Sequence, residues 1–259
     1  MHTLTLPENT QVVEFISDLH LEQSRPATFQ IWRQYMQSSV ADVIFILGDL
    51  FESWVGDDIT SAPSPLGDFE RQCVQVLANT KAKVYFMHGN RDFLIGEQFA
   101  QASHIELLPD PTLLQWKTST AILTHGDLLC IDDIEYQATR KQVRNPLWQQ
   151  QALSLPLQHR LIAAQQLREK SRQTQQSHTE DITDANPDEA LRWFKDEPAP
   201  YMIHGHTHRP ADHQVTANHT RIVLTDWELD TLEPTEQRAE MLRWENASTI
   251  KRLTLLNIA

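Results

Sequence analysis

Five short motifs, widely separated in this chain of 259 residues, each place metal-binding side chains just after an apolar run. That recurrence restricts the fold more than any other feature. Asp18-Leu19-His20 follows residues 12–17, Gly48-Asp49 follows 43–47, and Gly89-Asn90-Arg91-Asp92 follows 84–87. His125-Gly126-Asp127 follows 121–124, and Gly205-His206-Thr207-His208 follows the shorter run 201–203. Short apolar runs rich in Val, Ile, Leu and Phe read as buried strands. Helix-compatible segments at 26–39 and 66–80 lie between them, the alternation of an α/β layer fold. In such sheets ligands gather at the carboxyl ends of the strands. The chain is therefore expected to bring these motifs to one edge.

The donor types agree with that expectation. Carboxylate, amide oxygen and imidazole suit hard and borderline divalent cations. His206 and His208 are alternate residues, so on an extended segment they point the same way and can bracket one site. Of seven glycines, Gly48, Gly89, Gly126 and Gly205 adjoin a candidate ligand. Glycine permits the positive φ and close approach that tight turns around cations require. Metal-assisted hydrolysis is the chemistry these residues point to.

The rest of the chain narrows the setting. A net charge of −13 argues against non-specific binding to nucleic acid. Cys73 and Cys130 are too few and too far apart for a disulfide framework. No stretch approaches a membrane span, and residues 1–10 lack the features of a secretory signal, so a cytosolic, reduced protein is expected. Charge is uneven: residues 134–178 hold Arg140, Lys141, Arg144, Arg160, Arg168, Lys170 and Arg172 against only Glu135 and Glu169. This segment is rich in Gln, Leu and Ala and has no strand signal. Pro146 and Pro156 divide it into two or three helices. Leu157, Leu161, Ala164 and Leu167 predict an amphipathic helix over 157–174. Asn186-Pro187 reads as a helix start. Residues 221–225, 239–244 and 248–256 read as further strands, antiparallel in arrangement.

The motif set resembles the calcineurin-like metallophosphoesterase superfamily and, within it, the diphosphatases that act on UDP-2,3-diacylglucosamine in lipid A biosynthesis. The closer match is carried by Ile46 through Glu52, Trp54, Gly56-Asp57-Asp58, His88 through Leu94, His125-Gly126-Asp127, Asp132-Asp133, Tyr136 and His204 through Pro210. It covers roughly residues 12–225. The resemblance implies a sandwich of two β-sheets flanked by helices, one domain over 1–259, with a helical lid at about 134–178. It further implies that Asp18, His20, Asp49 and His208 hold one cation, and that Asp49, Asn90, His125 and His206 hold the other. Asp49 would bridge a pair expected to be Mn²⁺, and Asp127 would back an imidazole. Such a pair, about 3.5–4 Å apart, activates water for in-line attack on phosphorus. Asp49, Asn90, Arg91 and His206 would carry the catalysis. Substrate contacts map onto Asn90, Arg91, Asp133, Ser171, Gln175, His178 and His206. Other members have Asn and Lys where this chain has Gln175 and His178.

Arg91 bears on the substrate. Many members of the superfamily have His at this position, able to protonate an alkoxide leaving group, whereas Arg cannot act as an acid near neutral pH. A diphosphate needs that acid less, because its leaving group is a phosphate monoester with a second pKa of about 6. The resemblance thus implies release of UMP and 2,3-diacylglucosamine 1-phosphate. Leu147, Trp148, Leu153, Leu155, Leu157, Leu161, Ile162 and Leu167 would line a groove for the acyl chains. An amphiphilic substrate implies peripheral contact with the cytoplasmic face of the inner membrane, with no nucleic acid and no obligate protein partner. The alternatives are a relative acting on another nucleotide diphosphate or phosphodiester, and a binding scaffold that has lost catalysis. Asp57 and Asp58 read as loop residues near the site rather than ligands.

Overall fold

The computed structural model describes residues 1–177 and 184–256, with the backbone alone for 170–177. Two six-stranded mixed sheets form its centre. One sheet runs, in spatial order, β1 (His2–Thr5), β6 (Thr112–Trp116), β7 (Ser119–Leu123), β8 (Tyr201–His204), β10 (His219–Val223) and β9 (Ala211–Thr216). The other runs β12 (Thr249–Thr254), β11 (Glu240–Glu245), β2 (Val12–Ile16), β3 (Val43–Leu47), β4 (Lys83–Met87) and β5 (Glu106–Leu108). β2, β3, β4 and β5 are mutually parallel, as are β7, β8 and β10.

Strand periodicity sets the layers, because successive side chains leave a strand on opposite faces. From β3, Val43, Phe45 and Leu47 join Val13, Phe15, Leu114, Trp116, Leu123 and Trp244 in a core between the sheets. Ile44 and Ile46 point the other way, onto α1 (Pro26–Ser38), α2 (Asp68–Ala78) and α3 (Glu97–Ser103). On the far side Leu113, Ile122 and Met202 meet Ala190, Trp193 and Phe194 of α7 (Pro187–Asp196). The result is a four-layer sandwich of helices, sheet, sheet and helices. Asn186 caps α7 as its sequence suggests, accepting from the Asp188 and Glu189 amides.

Residues 134–177 contain α4 (Ile134–Val143), α5 (Pro146–Leu153) and α6 (Leu157–Ser177), inserted between β7 and α7. Pro146 and Pro156 mark the breaks. Leu157, Leu161 and Ala164 pack on the core, whereas Ile134, Leu147, Leu153, Leu155, Ile162 and Leu167 are exposed. The basic residues with described side chains mostly turn inward. Arg140 donates to Asp127, Arg144 to the carbonyls of His88 and Gly89, Arg160 to Asp58 and the Val55 carbonyl, and Arg168 to Glu22. The positive island anchors α4–α6 to the acidic body of the protein.

Two expectations change. The strand at 219–223 is antiparallel only to β9; it pairs with β8 in parallel, because it returns through the β9 hairpin. β1, β5, β6, β9 and α3 were not legible as elements. All but β6 are short or polar, and strand pairing or packing rather than local pattern stabilises them.

Candidate metal centre

All five motifs emerge at the carboxyl ends of parallel strands: Asp18 after β2, Asp49 after β3, Asn90 after β4, His125 after β7 and His206 after β8. The backbone turns sharply there. Asp18, His20, Asp49, His206 and His208 have φ of 54°, 48°, 51°, 67° and 52°. Left-handed conformation costs an L-residue on the order of 1–2 kcal/mol, and Asp and His tolerate it better than most. Such strain persists only where the surroundings enforce it. Here it turns five candidate ligand side chains toward a common site.

Glycines permit the crowding. A Cβ on Gly205 would stand 2.1 Å from Asp18 Oδ2, and one on Gly89 would stand 2.0 Å from Asp49 Oδ1. In both places a loop passes directly over a neighbouring carboxylate.

Each carboxylate is held through one oxygen and presents the other. Asp18 Oδ2 accepts from Ser17 Oγ at 2.6 Å and from the His206 amide at 2.9 Å. Its Oδ1 is buried without a hydrogen bond and faces His208 Nε2 at 3.4 Å. Asp49 Oδ1 accepts from the Arg91 amide at 2.8 Å. Its Oδ2 lies 4.0 Å from His20 Nε2 and 3.9 Å from His125 Nε2, between the two halves of the site. In one half His20 Nε2 and His208 Nε2 are 3.2 Å apart. In the other, Asn90 Oδ1 lies 3.1 Å from His125 Nε2 and 3.0 Å from His206 Nδ1. Asp18, His20 and His208 form one cluster able to hold a cation, and Asp18, Asp49 and His125 another.

The other nitrogens of His125, His20 and His208 lie beside acceptors, the arrangement that orients metal-binding histidines. His125 Nδ1 lies 2.9 Å from the Leu47 carbonyl. His20 Nδ1 lies 3.0 Å from Glu52 Oε2, though at an angle short of a full hydrogen bond. His208 Nδ1 lies 3.6 Å from Asp226 Oδ2. Glu52 and Asp226 escaped the sequence reading of the ligands, although Asp226 follows the run 221–225 at the same strand-end position as the ligands. Asp127 departs from its expected role: it accepts from Tyr136 Oη at 2.8 Å and Arg140 Nε at 2.7 Å, not from an imidazole. Both Asp92 oxygens are taken by the amides of Gly89, Leu50 and Phe51, so Asp92 is no partner for the Arg91 guanidinium.

Asp57 and Asp58 are placed as loop residues. Asp57 accepts from Trp54 Nε1 and the Gly96 and Phe99 amides, and Asp58 pairs with Arg160 of α6. Asp133 caps α4 by accepting from the Tyr136 amide. Ser171 and Gln175 lie on α6, in the stretch described by backbone alone, and His178 is outside the described residues.

Electrostatics show what the site attracts. Burial would raise the Asp18 carboxyl, but the close approach and charge of His208, with the charges of His125 and His20, hold it well below the usual range. Burial also opposes ionisation of Glu52, yet His20, Arg91 and Arg168 bring it down to about 2. Burial would lower His125, and the charges of Asp49, Asp127 and Asp18 push it up to about 9 instead. His206 is driven down to about 3 by burial and by the charge of His125. Asp18 and Glu52 stay ionised and pull positive charge inward, while not every imidazole can be protonated at once. Divalent cations satisfy that demand, and the donor set fits them.

The calcineurin-like phosphoesterase family matches residues 13–210. A UDP-2,3-diacylglucosamine hydrolase from Xanthomonas oryzae pv. oryzae is 45% identical over 225 residues, 82% of this chain and 90% of the relative. Its counterpart from Stenotrophomonas maltophilia is 44% identical over the same shares. The chain belongs to the calcineurin-like phosphoesterase family, in company with these hydrolases, and is itself a hydrolase.

Proposed function

We propose that this hydrolase cleaves the diphosphate of UDP-2,3-diacylglucosamine, a lipid A precursor, to UMP and 2,3-diacylglucosamine 1-phosphate. The observation that carries the reading is Asp49 Oδ2, set 4.0 Å and 3.9 Å from imidazole nitrogens of the two halves of the site. Asp18, His20, Asp49 and His208 would hold one divalent cation, and Asp49, Asn90, His125 and His206 the other. Carboxylate, amide and imidazole donors suit Mn²⁺, as they do Fe²⁺, Co²⁺ and Zn²⁺, and Mn²⁺ is our choice on the family resemblance. When bound, the pair supplies an acidified water and neutralises charge on the phosphoryl oxygens.

The chain's own residues orient the substrate. Arg91 brings a permanent positive charge beside the site, close enough to lower the Glu52 pKa, and offsets negative charge on the diphosphate. Asn90 and His206 contact the phosphoryl group from the donor side. Asp133, Ser171, Gln175 and His178 are assigned to the rest of the substrate. We read α4–α6 as a lid within a single domain over 1–259. Its exposed apolar residues, with Ile134 77% and Leu147 70% exposed, offer acyl chains an apolar surface. Among the described residues no helix is long and apolar enough to cross a membrane. The same surface suits peripheral contact with the cytoplasmic face of the inner membrane.

The test is release of UMP from UDP-2,3-diacylglucosamine with and without Mn²⁺, comparing wild type with Asp49→Ala. Metal-dependent release, reduced roughly 10⁴-fold or more in the variant, is the expected result. No release by wild type, with hydrolysis of a generic aryl phosphodiester retained, overturns the substrate assignment and leaves the site intact.

A further inference from the structure

A carboxylate outside the ligand set joins the site to the insertion. Glu52 lies five residues beyond β3, where its amide donates to the Leu21 carbonyl at 3.2 Å and the Leu21–Phe51 bridge holds the loop beside His20. Its two oxygens face different elements. Oε2 stands 3.0 Å from His20 Nδ1, and Oε1 stands 4.0 Å from Arg168 Nη1 on α6. The same Arg168 nitrogen lies 3.4 Å from Glu22 Oε2. Arg168 therefore spans Glu52, which faces His20, and Glu22, two positions beyond His20 in sequence. The Glu52 side chain is only 14% exposed, so solvent screens these contacts weakly. A carboxylate on Nδ1–H selects the tautomer that leaves the Nε2 lone pair facing the site.

His208 offers an internal comparison. Its Nδ1 is 3.6 Å from Asp226 Oδ2, and Asp226 is held by Arg238 Nε at 2.9 Å. The chain of arginine, carboxylate and imidazole is chemically the same. Arg238, however, lies outside the insertion, so only the Glu52 route touches α6.

We propose that Glu52 is a positioning residue that couples the His20 donor to the seating of α6 through Arg168. Cation binding and the docking of the insertion then favour each other, since coupling between two events is reciprocal. The inference rests on the reading of Asp18, His20 and His208 as cation donors, and it adds a link from that half of the site to the insertion.

The experiment measures Mn²⁺ affinity of the full chain by calorimetry and amide hydrogen exchange of α6 with and without saturating Mn²⁺. Wild type, Glu52→Gln, Arg168→Gln and Asp226→Asn are compared. Mn²⁺ is expected to slow α6 exchange in wild type. Glu52→Gln should lower Mn²⁺ affinity about 10- to 100-fold and lose the effect on α6. Arg168→Gln, at a half-buried side chain, with circular dichroism confirming that the fold is kept, should weaken Mn²⁺ several-fold and lose it too. The Glu52→Gln, Arg168→Gln double variant should lose less affinity than the two single losses combined. Asp226→Asn should bind Mn²⁺ more weakly yet keep the slowing of α6 at saturation. Wild-type affinity in Glu52→Gln, or an undiminished α6 response in Arg168→Gln, overturns the coupling alone. Failure of wild type to bind Mn²⁺ overturns the cation reading and the coupling with it.

Discussion

His20 and His208, 188 residues apart in sequence, face each other through their Nε2 atoms at 3.2 Å. Each turns its Nδ1 toward a carboxylate, Glu52 or Asp226. With both Nδ1–H groups directed at those carboxylates, both Nε2 atoms carry lone pairs and repel one another. A shared electrophile relieves that conflict, and Asp18 Oδ1 beside His208 completes the same cradle. The pair is thus arranged for a cation rather than for mutual hydrogen bonding.

Gly205 should be intolerant of any side chain. Its Cβ would meet Asp18 Oδ2 at 2.1 Å and Ser17 Oγ at 2.3 Å, both in a fully buried turn. Gly205→Ala must displace the Asp18 carboxylate or the His206 loop. Mn²⁺ affinity should fall at least about 10-fold, the scale on which displaced ligand geometry acts, while circular dichroism stays native. Unchanged affinity would contradict the assignment of Asp18 as a ligand.

Arg160 fastens the base of α6. Its side chain is 6% exposed and donates to the Val55 and Leu155 carbonyls and to Asp58. Arg160→Ala strips donors from the buried Val55 carbonyl and from the partly exposed Leu155 carbonyl, but Asp58 is half exposed and can be resolvated. The expected loss is about 1–3 kcal/mol, read as a lower urea midpoint. Turnover of the acylated substrate should fall more than that of a small aryl phosphodiester, because α6 is loosened while the donors remain. Equal losses would remove the insertion from substrate handling.

The exposed apolar residues of the insertion separate binding from stability. Leu147→Ser, Ile162→Ser and Leu167→Ser combined should leave the urea midpoint within about 0.5 kcal/mol per site of wild type, since exposed residues contribute little to folding. KM for the diacylated substrate should rise roughly 10-fold or more, on the scale of about 1 kcal/mol for each apolar side chain that an acyl chain no longer covers. A KM equal to wild type would show that acyl chains bind elsewhere.

Asp110 should make the protein more sensitive to rising pH. Burial and the Asp127 charge push it up to about 6, while Thr124 and Arg140 oppose the shift. An unfolded Asp titrates near 4. Between about pH 4 and 6 the folded chain therefore holds this proton more tightly than the unfolded chain, and this group's contribution to stability declines as pH rises. Asp110→Asn keeps the side-chain oxygen that accepts from Thr124 and abolishes the titration. Its stability relative to wild type should improve by on the order of 1–2 kcal/mol from pH 4 to pH 7 in urea melts of metal-free protein. A difference independent of pH would place the Asp110 pKa in the ordinary range.

Residue order alone decided where the donors would emerge. The runs at 12–17, 43–47, 84–87, 121–124 and 201–203 are local patterns, and a strand's end can be read from its own residues. So could the capped start of α7 at Asn186-Pro187, because a cap bonds amides only two and three positions away. Which atoms meet depends on distant segments that no local pattern records. Glu52 backs His20, Asp226 backs His208, and Asp127 turns from the imidazoles to Tyr136 and Arg140. The direction of the positive island was not legible either, since Arg140, Arg144, Arg160 and Arg168 find acidic or carbonyl partners only once the sheets have assembled. The left-handed backbone at Asp18, His20, Asp49, His206 and His208 belongs wholly to the folded state. A conformation that each residue disfavours by itself is held there by neighbouring loops, because two sheets side by side bring their strand ends within reach of one another.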